Sequence, residues 1–356
     1  MNWISKIVRV FTYFIFLFVS VAVMLEVIFR ILPTSDSLMV KPVNAENPII
    51  KFMENREVTL QIGFNFVHVN TKRINNYGYA TDKKFQEKSL QTKPVISVIG
   101  DSYVEALQVK NKDTFHAILD KNFESFDVYP IGISGSPLSQ YLAFANYASD
   151  TFAPKLYIFL IISNDFDQSF ESINKAPGFH YFDDVKGLKL VNYEPGLIKR
   201  LARRSALIRY LYLDLKLTTQ LTRILGSEVI NNDVRANKRT KFLETGRRAN
   251  EKFLHGITEL SFKSNVIIVL DGDREAIYSG LNERNANEPI NTLFDELEKS
   301  AKTIVNVDVI DLHKIFESDY AKNGEKFNYN YDYHWNERGH AVASQALTDK
   351  LNRIGY

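Results

Sequence analysis

Three short runs of apolar residues place the strongest limit on how this chain can fold. Residues 95–100, 156–162 and 266–271 carry no charge before their final residue. A run that is apolar on both faces is typical of a strand buried inside a sheet, because a half-exposed strand would alternate. Helix-compatible segments separate the runs, so the pattern predicts an α/β fold with a mainly parallel sheet covered on both sides.

Weaker patterns complete this prediction. Further strands are predicted at 128–133 and 305–312, and helices at 114–123, 138–147, 197–225 and 337–353. In an open parallel sheet, ligands bind beyond the carboxyl ends of the strands. Ser102, Gly135 and Asn164 each follow a predicted strand closely. We therefore expect these three residues to lie at one edge of the sheet.

The N-terminus is predicted to cross a membrane. Residues 10–25 are uncharged, and apolar residues continue the run to Leu32, which is long enough to span a bilayer. Two basic residues precede the run and favour a cytoplasmic N-terminus. A cleaved signal peptide is the alternative, but the apolar core is long and no small-x-small cleavage site follows it. Residues 1–33 are thus interpreted as a signal anchor, with the rest of the chain beyond the membrane.

Composition excludes several classes of function. The chain has 356 residues, a net charge of +2 and no cysteine. The absence of cysteine rules out disulfides, thiolate catalysis and zinc sites built on Cys. The near-neutral charge gives no reason to expect a nucleic-acid partner.

The chain is predicted to have three parts: the anchor, a stalk and a sheet domain. The anchor is followed by a stalk with short β structure at 34–90 and by the sheet domain at 91–356. Residues from about 167 to 264 are predicted to be a helical insertion that a minimal sheet domain does not need. Its helix at 197–225 is basic, which fits a lid, a polyanion-binding face, a surface against anionic lipid or a plain solvated face.

Two polar clusters supply the groups of a nucleophilic hydroxyl. A serine follows the first strand at Ser102, and Asp332 and His334 lie near the C-terminus. A serine hydroxyl is a poor nucleophile at neutral pH and needs an adjacent base, which a carboxylate orients in turn. Residues two apart in an extended segment point to the same side, so Asp332 and His334 can face the sheet edge together.

Four sequence blocks resemble the SGNH (GDSL-type) hydrolase superfamily. They are Gly100-Asp101-Ser102, Ile133-Ser134-Gly135, Ser163-Asn164-Asp165 and Asp332-Tyr333-His334, within a resemblance that covers about residues 72–350. The resemblance implies a three-layer α/β/α, flavodoxin-like fold. It makes Ser102 the nucleophile, His334 the base and Asp332 the group that orients the base. It also implies an oxyanion hole formed by the backbone N–H groups of Ser102 and Gly135 and the side-chain amide of Asn164.

The sequence departs from the family pattern at three positions. Ile162 replaces the usual glycine of the third block, and Pro130 replaces a frequent asparagine before the second. In the last block only Tyr333 separates the acid from the base, a spacing that resembles the alginate-type O-acetyltransferase branch. The anchor and the insertion likewise look like membrane-tethered members associated with bacterial surface polysaccharides.

The resemblance implies serine-dependent acyl transfer, most simply of acetyl, to or from a polysaccharide hydroxyl through an acyl-Ser102 intermediate. It places the domain on the periplasmic side of the inner membrane, with no cofactor and no metal. The acyl donor would come from a multi-span membrane acyltransferase partner. Two alternatives stay open: a membrane-anchored lipid or aryl esterase, and a non-catalytic scaffold of a polysaccharide assembly.

Several neighbouring residues have a structural interpretation beside a functional one. Tyr333 and Trp335 are candidates for substrate binding, and Trp335 is also a candidate for the core. Asp101 and Asp165 are expected to cap or brace their turns rather than to react. His340 is expected to be structural, because no ligand spacing around it is diagnostic of a metal site.

Overall fold

The computed structural model describes residues 3–217, 232–281, 283–285 and 287–356. These residues form two compact units. The N-terminal unit contains the described residues of 1–38, 58–71 and 195–228, and the sheet unit contains those of 39–57, 72–194 and 229–356.

Nine strands and eleven α-helices are defined in the described residues. The strands are β1 (Arg56–Ile62), β2 (His68–Ile74), β3 (Val95–Gly100), β4 (Asp127–Gly132), β5 (Leu156–Ile161), β6 (His180–Asp183), β7 (Gly187–Leu190), β8 (Asn265–Leu270) and β9 (Val307–Asp311). The helices are α1 (Trp3–Ile31), α2 (Ser102–Glu105), α3 (Phe115–Asn122), α4 (Leu138–Phe152), α5 (Leu197–Ala202), α6 (Ala206–Arg209), α7 (Asn232–Ser261), α8 (Arg274–Tyr278), α9 (Pro289–Ala301), α10 (Leu312–Asn323) and α11 (Glu337–Arg353).

The sheet unit is built on five parallel strands in the order β4-β3-β5-β8-β9. Every residue of β3 and β5 is buried, as the uninterrupted apolar runs predict. Helices α3, α10 and α11 cover one face, where Leu119, Phe316 and Leu347 pack against strand side chains. Helices α4, α7 and α9 cover the other face. The predicted three-layer α/β/α architecture is confirmed.

Local sequence patterns locate most of these elements closely. The five predicted strands match β3, β4, β5, β8 and β9 within about two residues, and the predicted helix at 337–353 coincides with α11. The predicted helix at 138–147 continues to Phe152 and is capped by Ala153, whose backbone is left-handed. Apolar side chains on α4 keep their helical spacing beyond Tyr147, which explains the longer helix.

Part of the segment predicted to be an insertion belongs to the core of the sheet unit. Its first part, expected to be loop, contains the antiparallel hairpin β6–β7. Its last part is the 30-residue helix α7, whose Phe253 and Ile257 are fully buried. Adjacent parallel strands require a crossover connection, and α7 supplies it between β5 and β8. The fold therefore needs this helix.

The predicted helix at 197–225 is interrupted. Helix α5 ends at Ala202, and Ser205 caps a new helix, α6, by accepting a hydrogen bond from Ile208 N. A π-helical turn, Tyr210–Asp214, follows. The end of the predicted helix, 218–225, lies outside the described residues.

Residues 34–90, predicted to be a stalk with short β structure, include the two-stranded sheet β1–β2. Within the sheet unit, Tyr79 and Phe85 are buried, and the Phe85 ring stacks on Tyr129 of β4 at 4.2 Å. Aromatic packing thus makes the end of this segment part of the domain core.

The N-terminal unit contains α1, which has 29 residues and no buried side chain. Among the described residues it is the one helix long and apolar enough to cross a membrane. Helices α5 and α6 belong to the same unit.

Candidate active site

The serine lies in a tight turn at the carboxyl end of β3. Asp101 caps α2 by accepting a hydrogen bond from Tyr103 N at 3.0 Å, so Ser102 is the first residue of the helix. A Cβ on Gly100 would lie 2.5 Å from Val104 Cγ2. Glycine therefore allows α2 to pack directly on the strand end, which holds Ser102 half-exposed at the sheet edge.

The structure brings Ser102 together with the two residues of the C-terminal cluster. His334 lies on the connection between α10 and α11, and its Nε2 is 2.9 Å from Ser102 Oγ. Its Nδ1 is 2.6 Å from Asp332 Oδ1, which also accepts a hydrogen bond from His334 N. This is the arrangement of a nucleophile, a base and an orienting carboxylate.

The charge on Asp332 suits the orienting role. Burial of its carboxyl opposes ionisation, but the hydrogen bonds and charge of His334 outweigh burial and lower the pKa of Asp332. An ionised Asp332 places the ring proton on Nδ1 and leaves Nε2 free to accept the proton of Ser102.

A second carboxyl touches the serine. Ser102 Oγ is 3.1 Å from Asp101 Oδ2, so the hydroxyl lies between Asp101 and His334. Burial raises the pKa of Asp101 to about 6, although the capping hydrogen bond and the charge of His334 oppose this rise. Asp101 is thus a cap, as expected, and also a competing acceptor for the serine proton when it is ionised.

The structure describes two of the three predicted oxyanion donors. Ser102 N makes no intrahelical bond, because the first N–H groups of a helix have no carbonyl partner within it. Gly135 follows the end of β4 in a turn closed by Ser136 N and Ile133 O, with φ at +79°. Nothing lies within 4 Å of where its Cβ would be, so that side of the turn is open. The side chain of Asn164 lies outside the described part of the structure.

Two buried charged residues behind this turn were not found from the sequence. Glu105 accepts hydrogen bonds from Ser134 N at 2.9 Å and from the Ser134 hydroxyl. Lys72 Nζ donates to Glu105 O at 2.9 Å and to Ala106 O at 2.7 Å. Burial lowers the pKa of Lys72 and raises that of Glu105. The sequence signal for Glu105 was its position as the one charged residue in the stretch 102–109.

Another missed residue, Arg274, fixes the backbone between acid and base. Its guanidinium donates to Tyr333 O, and also to Tyr103 Oη at 2.6 Å and Asp271 Oδ2 at 3.1 Å. Tyr103 Oη donates to the same carbonyl at 3.1 Å. These bonds hold the backbone at Tyr333, which lies between Asp332 and His334 in the chain.

The two candidate substrate-binding residues have different environments. Tyr333 is 69% exposed beside His334. Trp335 is 1% exposed, and its indole N–H donates to Asp271 Oδ1 at 3.0 Å. The expectation that Trp335 binds substrate is therefore wrong, because its ring packs against Phe115 and Phe316 in the core.

A cleft of about 700 Å³, with polar and apolar surface in about equal parts, adjoins the triad. Its lining includes Asp271, Arg274, Glu275, Tyr278, Glu288, Asn291, Lys326, Asn328, Tyr331, Asp332 and Tyr333. The rings of Tyr329 and Tyr331 stack at 5.3 Å. Exposed aromatic rings among amide and charged groups suit a ligand with both hydroxyl groups and flat apolar faces.

The remaining polar candidates have structural partners. Asp165 accepts hydrogen bonds from Tyr141 Oη at 2.9 Å and Ile162 N at 2.8 Å, so it braces the turn after β5. His340 is buried and accepts a hydrogen bond from Phe115 N. Across the described residues, no group of three or more His, Cys, Asp or Glu side chains is arranged to hold a metal ion.

Comparison with known proteins finds likeness in structure only. No family model matches the sequence, and no curated protein matches it. A member of the lipolytic protein G-D-S-L family from Veillonella parvula has 15% identity and a TM-score of 0.40, over 73% of this chain and 98% of that one.

Two solved esterases are also similar. An acetyl xylan esterase has 13% identity and a TM-score of 0.41, over 72% of this chain and 99% of that one. A two-domain esterase active on acetylated mannans has 12% identity and a TM-score of 0.39, over 74% of this chain and 50% of that one. At such identities these proteins do not define the chemistry of this chain, so that conclusion has to come from its own site.

Proposed function

We propose that this protein is a serine-dependent acyl enzyme that removes or transfers a small acyl group, such as acetyl, on a polysaccharide. The observation that carries the proposal is the 2.9 Å contact between Ser102 Oγ and His334 Nε2, with Asp332 on the other ring nitrogen. A scaffold protein of this fold has no need for that geometry, so it supports catalysis over the scaffold alternative.

Acylation proceeds by attack of Ser102 Oγ on the acyl carbonyl while His334 Nε2 takes the hydroxyl proton. Asp332 stabilises the imidazolium that forms. The N–H groups of Ser102 and Gly135, with the Asn164 amide, are the proposed donors to the oxyanion. The bond to the leaving alcohol then breaks, and His334 returns the proton to the departing oxygen, which leaves an acyl-Ser102 ester.

Deacylation repeats these steps with a new nucleophile. Water or a sugar hydroxyl gives its proton to His334 and attacks the acyl carbon, and Ser102 leaves with that proton. Water makes the enzyme an esterase, and a sugar hydroxyl makes it an O-acetyltransferase. For transfer, we propose that a multi-span membrane acyltransferase supplies the acyl group, as the resemblance to polysaccharide-modifying members implies.

A carbohydrate acceptor is supported by the cleft next to the triad. Its lining combines amides and charges with the exposed rings of Tyr331 and Tyr333. A lipid esterase would need a mainly apolar groove for its acyl chain, whereas charged and amide side chains contribute about half of this cleft's surface. Tyr333 is the proposed substrate contact, because its side chain is exposed one residue from the base.

We further propose that α1 anchors the chain in the inner membrane and that the sheet unit works in the periplasm. No side chain of helix α1 is fully buried and most of its apolar side chains are exposed, which costs free energy in water but not in lipid. Lys6 and Arg9 precede the uncharged run and favour a cytoplasmic N-terminus.

The test uses the full-length protein in detergent with para-nitrophenyl acetate and intact-mass detection. We expect wild type to gain one acetyl group on Ser102 and Ser102→Ala to gain none. Ser300→Ala, at an exposed helix position, is the matched control and should behave as wild type.

Addition of an unacetylated polysaccharide then separates the two directions. Faster discharge of the adduct by glycan than by water identifies a transferase, whereas discharge mainly by water identifies an esterase. Equal acetyl release by wild type and Ser102→Ala, with no adduct across several acyl donors, would refute the proposal.

A further inference from the structure

Helix α1 is attached to the segment that contains α5 and α6 through one carboxylate. Glu26 accepts hydrogen bonds from Ser205 Oγ at 2.7 Å, Ala206 N at 3.1 Å and Leu207 N at 3.0 Å. Arg30 pairs with Glu26 at 2.8 Å and donates to Arg204 O at 3.1 Å. The corner between α5 and α6 is therefore docked on α1 at the level of Glu26.

The loop between β1 and β2 is tied to the same end of α1. Tyr210 stacks on Phe29 with ring centroids 4.1 Å apart, and its ring lies 6.0 Å from that of Phe66. Its hydroxyl donates to Phe64 O at 2.8 Å. Phe64 is itself 72% exposed, so this loop presents an apolar side chain beside the helix.

The position of Glu26 along α1 sets the depth of these attachments. Arg9 and Glu26 bound the uncharged run, and the helical rise separates them by about 25 Å. The hydrocarbon core of a bilayer is about 30 Å thick. If Arg9 lies at the inner boundary, Glu26 and the segments docked on it therefore lie at the outer boundary.

Helix α5 has the composition of a helix that lies in a membrane interface. Leu197, Ile198 and Leu201 share one face and are exposed, Ile198 by 84%. Lys199 points to the opposite side of the helix, and Arg200 lies between the two faces. Grouped exposed apolar residues are unusual on a protein surrounded by water, whereas interfacial helices combine such a face with Lys and Arg.

We propose that Leu197, Ile198 and Leu201, together with Phe64, form a membrane-contact surface. The apolar side chains enter the outer boundary of an anionic phospholipid bilayer, and Arg200, at the side of this face, contacts its headgroups. The proposal rests on the membrane anchoring by α1 proposed above. Its consequence is that the N-terminal unit is held on the bilayer by α1 and by a second attachment, rather than by α1 alone.

The absence of cysteine allows a site-specific test on the full-length protein. Ile198→Cys, labelled with an environment-sensitive fluorophore, is placed in vesicles of phosphatidylglycerol and phosphatidylethanolamine. We expect blue-shifted emission and strong quenching by lipids brominated on their acyl chains. Lys199→Cys is the matched control on the opposite side of the same helix, and its label should be quenched at least threefold less.

Three further measurements make the result decisive. Resistance of the protein to alkaline extraction tests α1 independently of α5. Extraction-resistant protein whose label at position 198 stays in water would overturn the membrane-contact surface and leave the anchor intact. Extraction of the protein would overturn the anchor and the surface together. Equal quenching in phosphatidylcholine vesicles would overturn the role of Arg200. A label at position 198 that is shielded from water only after another protein is added, and not by lipid, would overturn the lipid partner.

Discussion

The carboxylate of Glu105 accepts a hydrogen bond from the backbone N–H of Ser134 at 2.9 Å. Glu105 is the last residue of the helix that begins with Ser102, and Ser134 precedes Gly135. One buried side chain therefore links the turn of the nucleophile to the turn of a proposed oxyanion donor. Lys72, which donates to the backbone of the same helix end, supports that link from behind.

Replacement of Glu105 should lower turnover without much effect on substrate binding. We expect Glu105→Ala to reduce kcat for aryl acetates by about 10- to 100-fold, less than the ~10²–10³ of a lost oxyanion donor, because Gly135 is displaced and not removed. Glu105→Gln keeps an oxygen for Ser134 N and should restore most of kcat. Steady-state kinetics at matched folded protein checks this, and an equal loss in both variants would argue against positioning through Ser134.

Asp332 should affect the rate and not the fold. Asp332→Asn keeps the size of the side chain but can favour the wrong tautomer of His334, so we expect kcat to fall by roughly 10³–10⁴. Burst kinetics with para-nitrophenyl acetate should show acylation slowed by that factor. Asp319→Asn, which removes an acidic group paired with Arg338 away from the triad, is the matched control. Unchanged acylation in Asp332→Asn would assign the orienting role to another group.

Asp101 should make stability fall as pH rises. Burial raises its pKa to about 6 in the folded chain, against about 3.9 in an unfolded one. Between these values the folded state holds the proton that the unfolded state has lost, so stability decreases with pH across the window from about 4 to 6. Asp101→Asn removes this pH-dependent contribution to stability. The difference in melting temperature, variant minus wild type, should therefore increase by several degrees from pH 4 to pH 7.

Thermal melts of both proteins in the same detergent check the sign. Every other titrating group is present in both proteins, so their difference contains Asp101 and its electrostatic effect on its neighbours, such as His334. A difference that stays constant between pH 4 and pH 7 would mean that Asp101 titrates normally.

Tyr333 and Trp335 should separate binding from stability. Tyr333→Ala removes an exposed ring, so KM for an acetylated oligosaccharide should rise about 2- to 10-fold, as loss of a 0.5–1.5 kcal/mol ring contact implies. Its KM for para-nitrophenyl acetate and its melting temperature should change little, because Arg274 bonds only the backbone carbonyl of Tyr333.

Trp335→Ala should do the reverse. Truncation of this buried ring is expected to cost about 3–5 kcal/mol of unfolding free energy. A lower melting temperature with an unchanged ratio of the two KM values is the expected result. A selective rise in KM for the oligosaccharide would return Trp335 to the substrate site.

Local sequence patterns were sufficient to locate the strands and to name candidates for the reactive groups. The runs at 95–100 and 156–162 are apolar on both faces, and burial on both faces of a sheet is what such a pattern requires. Ser102, Asp332 and His334 were identified because few side chains can activate a hydroxyl. The predicted insertion included too many residues, because a helix pattern does not indicate whether the helix packs on the sheet. Helix α7 does so through Phe253.

The sequence by itself determined which runs form buried strands and which side chains are candidates for reaction, because periodicity and side-chain chemistry are local properties of the chain. Only the tertiary structure decided which polar atoms meet. Arg274 and Tyr333 are 59 residues apart in sequence, and Glu26 and Ser205 are 179 apart. A buried charge must find a partner to offset its desolvation, but any of several distant groups could provide one. The packing of α8 beside the C-terminal segment, and of α6 on α1, determines which distant group becomes the partner.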